Sequence, residues 1–257
     1  MPLFKSEAIV LRSINLSETD KLVTFMTDKF GKIKCVAKAA RKIKNRFGAT
    51  IEPMSHIHLI YFGKENQTLY RLNHSDIIQS FQSIRDSLHK IYTGVYFNEL
   101  VDTLTPEAHP DPNAFRLLLE SLLALKSMDS LDTLRRLFEM RLICLAGYAP
   151  QLNHCSICKG SAETKNFGFS FEHRGVVCEP CSFKVRPEMR FQAGTLKYLK
   201  KLKTMNVQHA NRLKLPKGAE LEIEQLLHRL ILSYTGRELK SYPFIKNMSK
   251  INLDMES

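Results

Sequence analysis

The spacing of apolar residues changes near residue 75, from the short alternating runs of strands to the three- and four-residue recurrence of helices. Ser6–Ile14, Lys21–Thr27, Lys32–Lys38, Met54–Phe62 and Thr68–Leu72 are each rich in Val, Ile, Leu or aromatic residues. Turn and charge signals at Asn15, Asp28 with Gly31, and Gly63 separate them. Five such runs predict a small β-barrel of OB-fold size. In the third, alternation sets Ile33, Cys35 and Ala37 on one face and Lys32, Lys34, Val36 and Lys38 on the other. Three lysines are therefore expected to reach solvent together.

From Ser75 onward Ile77, Ile78, Phe81, Ile84, Leu88, Ile91, Tyr92 and Val95 mark one buried helix face. Asp111 before Pro112 reads as an N-cap and first-turn proline, opening a helix over Phe115–Leu125. Leu131, Leu134, Leu137, Phe138, Arg141, Leu142 and Leu145 carry another to Gly147, a stop before Pro150. Helical spacing resumes at Leu196, Leu199 and Leu202 and again over Leu221–Tyr234. Glu220, Glu222 and Glu224, near the start of that last helix, are expected on its surface, where acids suit the dipole. There are no repeats or low-complexity linkers, and poor anchoring is expected from Asn247 to the end. The expected architecture is multidomain α+β: an N-terminal OB-fold β-barrel over 1–79, an α-helical domain over 80–152 that resumes over 184–257, and a four-cysteine zinc-binding module inserted at 153–183.

The module rests on Cys155-x2-Cys158 and Cys178-x2-Cys181. Two close thiolate pairs are what one tetrahedral zinc ion needs, and with four sulfurs bound no position remains for water or substrate, so the site is read as structural. Two disulfides are the alternative, and the twin spacing speaks against them. Pro180-Cys181 matches part of a nucleobase-deaminase signature. However, position 184 is Lys184, and neither His154 nor His173 is followed two residues later by Glu. Cys35 and Cys144 stand alone in apolar stretches and read as buried thiols.

Globular composition, 44% hydrophobic and 25% charged, goes with a net charge of +12 that is unevenly distributed. It is +6 over 1–79, −2 over 80–150, neutral over 151–181 and +8 over 182–257. Lys29–Arg46 holds eight basic residues and no acid; Lys184–Lys217 holds ten, with Glu188 the one exception. Such runs seek anions, and nucleic acid suits them better than a membrane, which would prefer an amphipathic basic helix. Candidate base-stacking rings are Phe30, Phe47 and Tyr70, each read first as core, since strand aromatics usually face inward. The apolar run Ala8–Leu11 is too short for a signal peptide, no span reaches bilayer length, and a reducing cytoplasm is expected. Phosphate-loop, Gly-x-Ser-x-Gly and His-Glu-x2-His motifs are missing, which leaves a non-catalytic reading.

Leu145-Ala146-Gly147-Tyr148-Ala149-Pro150-Gln151-Leu152, followed by the first cysteine pair and then by Gly175-Val176-Val177-Cys178-x2-Cys181, resembles the RecO family of bacterial recombination mediators. Glu7–Leu11 with Ser17-Glu18-x-Asp20, the stretch Ala39–Gly48 running into Glu52-Pro53, and Gly236–Ser241 are similar to it too, so the likeness spans nearly the whole chain. His173-Arg174-Gly175 departs from it, since relatives tend to carry more glycine there, and this puts the local loop shape in question.

The resemblance implies a non-enzymatic mediator in DNA repair and recombination, monomeric when free and nucleoid-associated. Such a protein binds single- and double-stranded DNA, anneals complementary strands, and works with RecR and the C-terminal tail of the single-stranded-DNA-binding protein to help load RecA onto coated DNA. Carried over, the DNA contacts are Arg12, Lys32, Lys34, Lys38, Arg41, Lys42, Lys44 and Arg46; the ligands of one structural Zn2+ are Cys155, Cys158, Cys178 and Cys181; and the candidates for docking the tail are Arg135, Arg136 and Arg141. The rival is a zinc-containing protein–protein adaptor that makes no direct contact with DNA.

Overall fold

A computed structural model describes residues 2–64, 67–128, 130–161 and 166–247. They form two units, Met1–Asp129 with Glu238–Ser257, and Ser130–Arg237.

In the first unit β1 (Leu3–Asn15), β2 (Lys21–Thr27), β3 (Gly31–Ala37), β4 (His56–Phe62) and β5 (Tyr70–Gln79) close into a barrel in the order β1-β2-β3-β5-β4. Closure comes from a short parallel pairing of β3 with β5, Cys35 opposite Tyr70 and Val36 opposite Arg71; the other neighbours are antiparallel. Alternation sends Ala8, Val10, Val23, Phe25, Ile33, Cys35, Leu59 and Leu72 into one core. Gly31 turns β2 into β3 at φ +68, and a Cβ there would stand 2.0 Å from the His109 carbonyl oxygen, so only glycine fits.

The fifth strand runs past Leu72 to Gln79, so Ile77 and Ile78 belong to β5 and not to the helix their spacing predicts. Ile77 lies opposite Ile57 and Ser75 opposite Leu59 in the ladder with β4. That ladder satisfies the backbone groups, and two residues at helical spacing cannot outweigh it.

Helix α1 (Gln82–Arg85), α2 (Leu88–Leu104) and α3 (Pro112–Ser127) follow. Helix α2 packs on β1. There Asn98 Nδ2 donates to the carbonyls of Val10 at 3.0 Å and Leu11 at 3.2 Å, where the β1–β2 register shifts. Asp111 caps α3 as expected, its carboxylate accepting from the Ala114 N–H at 2.9 Å with Pro112 in the first turn. The chain returns to this unit near its end. The Glu99 carboxylate on α2 accepts from the backbone N–H groups of Lys240 and Ser241 at 2.9 and 2.8 Å, and Leu239, Tyr242 and Ile245 are buried. Of the end segment expected to be poorly anchored, residues 248–257 lie outside the described residues.

In the second unit α4 (Leu131–Leu145), α6 (Ala193–Thr204) and α7 (Lys217–Thr235) pack together through buried leucines such as Leu137, Leu199 and Leu227. Between α4 and α6 lie β6 (Asn166–Ser170), β7 (Gly175–Cys178), the single turn α5 (Glu179–Ser182) and β8 (Met189–Gln192), the strands ordered β7-β6-β8. The helices expected as one domain over 80–152 and 184–257 thus fall into both units, because α2 and α3 bury their apolar faces with the barrel.

Candidate metal centre and nucleic-acid interface

Cys155 and Cys158 lie on a turn closed by the Cys155 N–H to Gly160 carbonyl bond at 2.9 Å and the Lys159 N–H to Cys155 carbonyl bond at 3.0 Å. A 2.8 Å bond from the Ser156 N–H to the Val176 carbonyl joins that turn to β7. Cys178 ends β7, and Pro180 in the first turn of α5 starts the bend that brings Cys181 back. The four sulfurs lie within 4.8 Å of one another, with Cys158 Sγ 3.7 Å from Cys178 Sγ.

A tetrahedral zinc with Zn–S bonds of about 2.3 Å has sulfur–sulfur edges of about 3.8 Å, whereas a disulfide requires about 2.05 Å. The cluster fits an ion and not bridged pairs. Burial opposes ionisation of Cys155, yet the backbone N–H groups of Cys178, Cys158 and Ile157 hold its thiol down to about 6. Hydrogen bonding with Cys178, and then burial, push Cys181 up to about 12. Four sulfurs this close ionise together only around a cation, and the arrangement can hold one metal ion.

Among the described residues no histidine joins the cluster, and His173 Nδ1 instead meets Ser170 Oγ at 3.1 Å. The departure at His173-Arg174-Gly175 is absorbed by a turn in which Arg174 adopts φ +49. Gly175 remains where a Cβ would stand 2.4 Å from Ser156 Oγ. Cys35 is buried and Cys144 half-buried, and burial pushes both thiols up, in keeping with inert side chains.

The basic residues expected to meet DNA separate into two groups. Lys32 is buried, its ammonium on the Asp102 backbone carbonyl and 3.4 Å from the Asp102 carboxylate, which Arg12 also approaches at 3.6 Å. Lys34 pairs with Glu107. Lys38 Nζ lies 2.7 Å from Asp20, whose carboxyl is held below the usual range by that bond and by the Ala39 N–H. The expectation that three lysines reach solvent together is therefore corrected: the face alternates as predicted, but Lys32 is buried, Lys34 half-buried and only Lys38 exposed, and each is paired with a carboxylate, from α2, from the segment before α3 or from the turn after β1.

Arg41, Lys42, Lys44 and Arg46 form the second group, all exposed on the loop after β3 and with no carboxylate partner among the described residues. The loop is braced. Ala40 and Phe47 are buried at its ends, Arg41 Nη1 donates to the Ser17 carbonyl at 2.7 Å, and Asn45 Oδ1 accepts from the N–H groups of Phe47 and Gly48 at 3.0 and 2.6 Å. The Arg46 guanidinium sits 4.9 Å from the Phe47 ring centroid. As for the stacking candidates, Phe47 and Tyr70 are core residues and Phe30 packs against that core.

The three arginines offered for tail docking serve the interior of the second unit. Arg136 and Glu139, each 1% exposed, pair at 2.8 Å, and Glu224 approaches Arg136 at 3.5 Å. Arg135 is buried and paired with Asp132, and Arg141 Nη1 donates to the Met205 carbonyl at 2.7 Å. Glu222 is equally engaged, accepting from Thr195 Oγ1 and from the Gln192 N–H, so the expected surface acids of α7 are corrected to half-buried partners. Asp20, Asp102 and Glu107, which decide which lysines stay available, carry no local signal, since the last two lie on segments remote in sequence.

Residues 1–81 match the family described as Recombination protein O N terminal, and residues 85–243 the family described as Recombination protein O C terminal. A mixed α and β protein of recombination and repair, with a cysteine cluster able to hold a metal, is the class so defined. Similar chains, each named DNA repair protein RecO, occur in Symbiobacterium thermophilum (32% identical, 96% of this chain and 98% of the relative), Myxococcus xanthus (32%, 99% and 100%) and Bacillus subtilis (30%, 97% and 96%). The chain belongs to the RecO family.

Proposed function

We propose that this chain is a non-enzymatic recombination mediator that binds single- and double-stranded DNA through the loop Arg41–Arg46, with one structural zinc in the cysteine cluster. The carrying observation is that this loop is braced, exposed and without acidic partners. The strand order and the parallel β3–β5 closure suit an OB-fold, a barrel that commonly tracks single strands with a basic groove. Neutralising phosphates on two strands lowers their repulsion, so annealing needs no fuel. In this reading the protein acts in the cytoplasm at the nucleoid, associates with RecR and with the tail of the single-stranded-DNA-binding protein, and assists RecA loading. Arg135, Arg136 and Arg141 are withdrawn as the tail's dock because they are committed internally.

Changing Lys42, Lys44 and Arg46 together to Ala is expected to flatten the log–log salt dependence of oligonucleotide binding by about 2, at about 0.7 per phosphate on single strands. The loss should be equal across sequences, since phosphate contacts carry no base information. An unchanged slope sinks the assignment. The carboxylate pairing of Arg12, Lys32, Lys34 and Lys38 favours a second reading, an adaptor without direct DNA contact. Failure of the unaltered chain to bind a labelled oligonucleotide at low salt would select it.

A further inference from the structure

The basic run Lys184–Lys217 plays no part in the reading above, and its centre is α6. Leu196, Leu199 and Leu202 bury one side of this helix. Lys197 and Lys201 are exposed and Lys200 half-buried on the other, within an arc of about 100°. None of the three has a carboxylate partner among the described residues. Five acids of the unit are held elsewhere: Asp132 by Arg135, Glu139 and Glu224 by Arg136, Glu188 by the Phe171 N–H at 3.4 Å, and Glu222 by Thr195 and Gln192 at the start of α6. Favourable interaction with the helix C-terminus accounts for Lys201 and for Lys203, which donates to the Pro150 carbonyl. It does not reach Lys197, more than a turn from that end.

We propose that the Lys197–Lys200–Lys201 face of α6 is a second nucleic-acid site, one that takes a second strand while the barrel loop holds the first. The inference rests on the proposed DNA binding and deepens it. An annealing protein must bring together two polyanions that repel, and two basic faces on one chain hold both without a dimer. The contacts are to phosphate and independent of sequence, because lysines present point charges and no base-reading fork.

The test uses the full chain at concentrations where sedimentation shows a monomer. It is bound to an immobilised oligonucleotide and then offered a labelled, non-complementary second strand. Unaltered protein should capture the second strand. Lys197→Gln, Lys200→Gln and Lys201→Gln together should cut that capture about tenfold at moderate salt, leaving first-strand binding, metal content and melting temperature nearly unchanged. The three Lys→Arg changes should restore it.

Capture unaffected by the Gln variant overturns the inference, as does failure of the Arg variant to restore. Loss confined to phosphatidylglycerol vesicles or to an acidic peptide, with strand capture intact, overturns it in favour of that ligand. A chain that binds one strand and never a second refutes the α6 site alone. A chain that binds none refutes the proposed function as well.

Discussion

In the barrel, the lysines of β3 face acids: Lys32 meets Asp102, Lys34 meets Glu107, and Lys38, just beyond the strand, meets Asp20. In the second unit the carboxylates of α4 and α7 face arginines or the start of α6, and Lys197 and Lys201 of α6 are left to solvent. Two stretches of similar composition therefore present different surfaces. The difference teaches that the anion affinity of a basic run is set by where the fold delivers its acids, a matter of tertiary structure. In the barrel the loop beyond β3 escapes this pairing.

The largest effect should come from metal removal, which separates the units by what holds them. Closing a four-thiolate site contributes on the order of 10 kcal/mol in small zinc modules. Chelation or Cys155→Ala is expected to loosen the segment around β6 and β7, with the barrel's strand signal retained. Purified protein lacking zinc by elemental analysis would refute the ion's identity. Next comes Arg136→Ala, which leaves Glu139 buried without its cation and should destabilise the second unit by about 3–5 kcal/mol. A melting curve within a degree of the parent's would show that the acids of α4 are dispensable, and would remove one side of the comparison.

A gain is expected from Asp102→Asn with Glu107→Gln, which releases Arg12, Lys32 and Lys34. The salt slope of oligonucleotide binding should steepen by up to about 2, at about 0.7 per cation freed. No change would mean that those lysines lie off the DNA path even when unpaired.

The smallest effect concerns pH. Burial holds the His56 imidazole below its usual range against the opposing pull of Glu7. The unfolded chain then takes up a proton first. The barrel's stability is complete above about pH 6.5 and declines as pH falls from there through the folded-state value. The Asp20 carboxyl is also depressed, so its clasp on Lys38 persists until pH falls below about 4. Denaturant titrations at pH 7.5 and pH 5 should show a decline that His56→Gln abolishes, and a decline unaffected by that change would place the cause elsewhere.

Local information carried the cysteine cluster, because Cys-x2-Cys is a turn that supplies both sulfurs within four residues, and it carried β2 through its apolar run, β3 through its alternation, α3 through its Asp111 cap and α4 through its apolar face. It could not show that Lys32 is buried against a residue 70 positions later, nor that Arg136 turns inward, since an arginine on an amphipathic helix reads the same whether solvated or paired. β5 beyond Leu72 is not legible locally, because two isoleucines fit either period and β4 decides between them.

The Glu99 grip on Lys240 and Ser241 has a consequence for synthesis. The first unit needs Leu239, Tyr242 and Ile245 to complete its interior, and these leave the ribosome only after all of the second. Domains usually mature in order of emergence; here the first unit stays unfinished until the whole of the second has been made, and a premature stop after Arg237 would leave its interior incomplete while sparing the second unit.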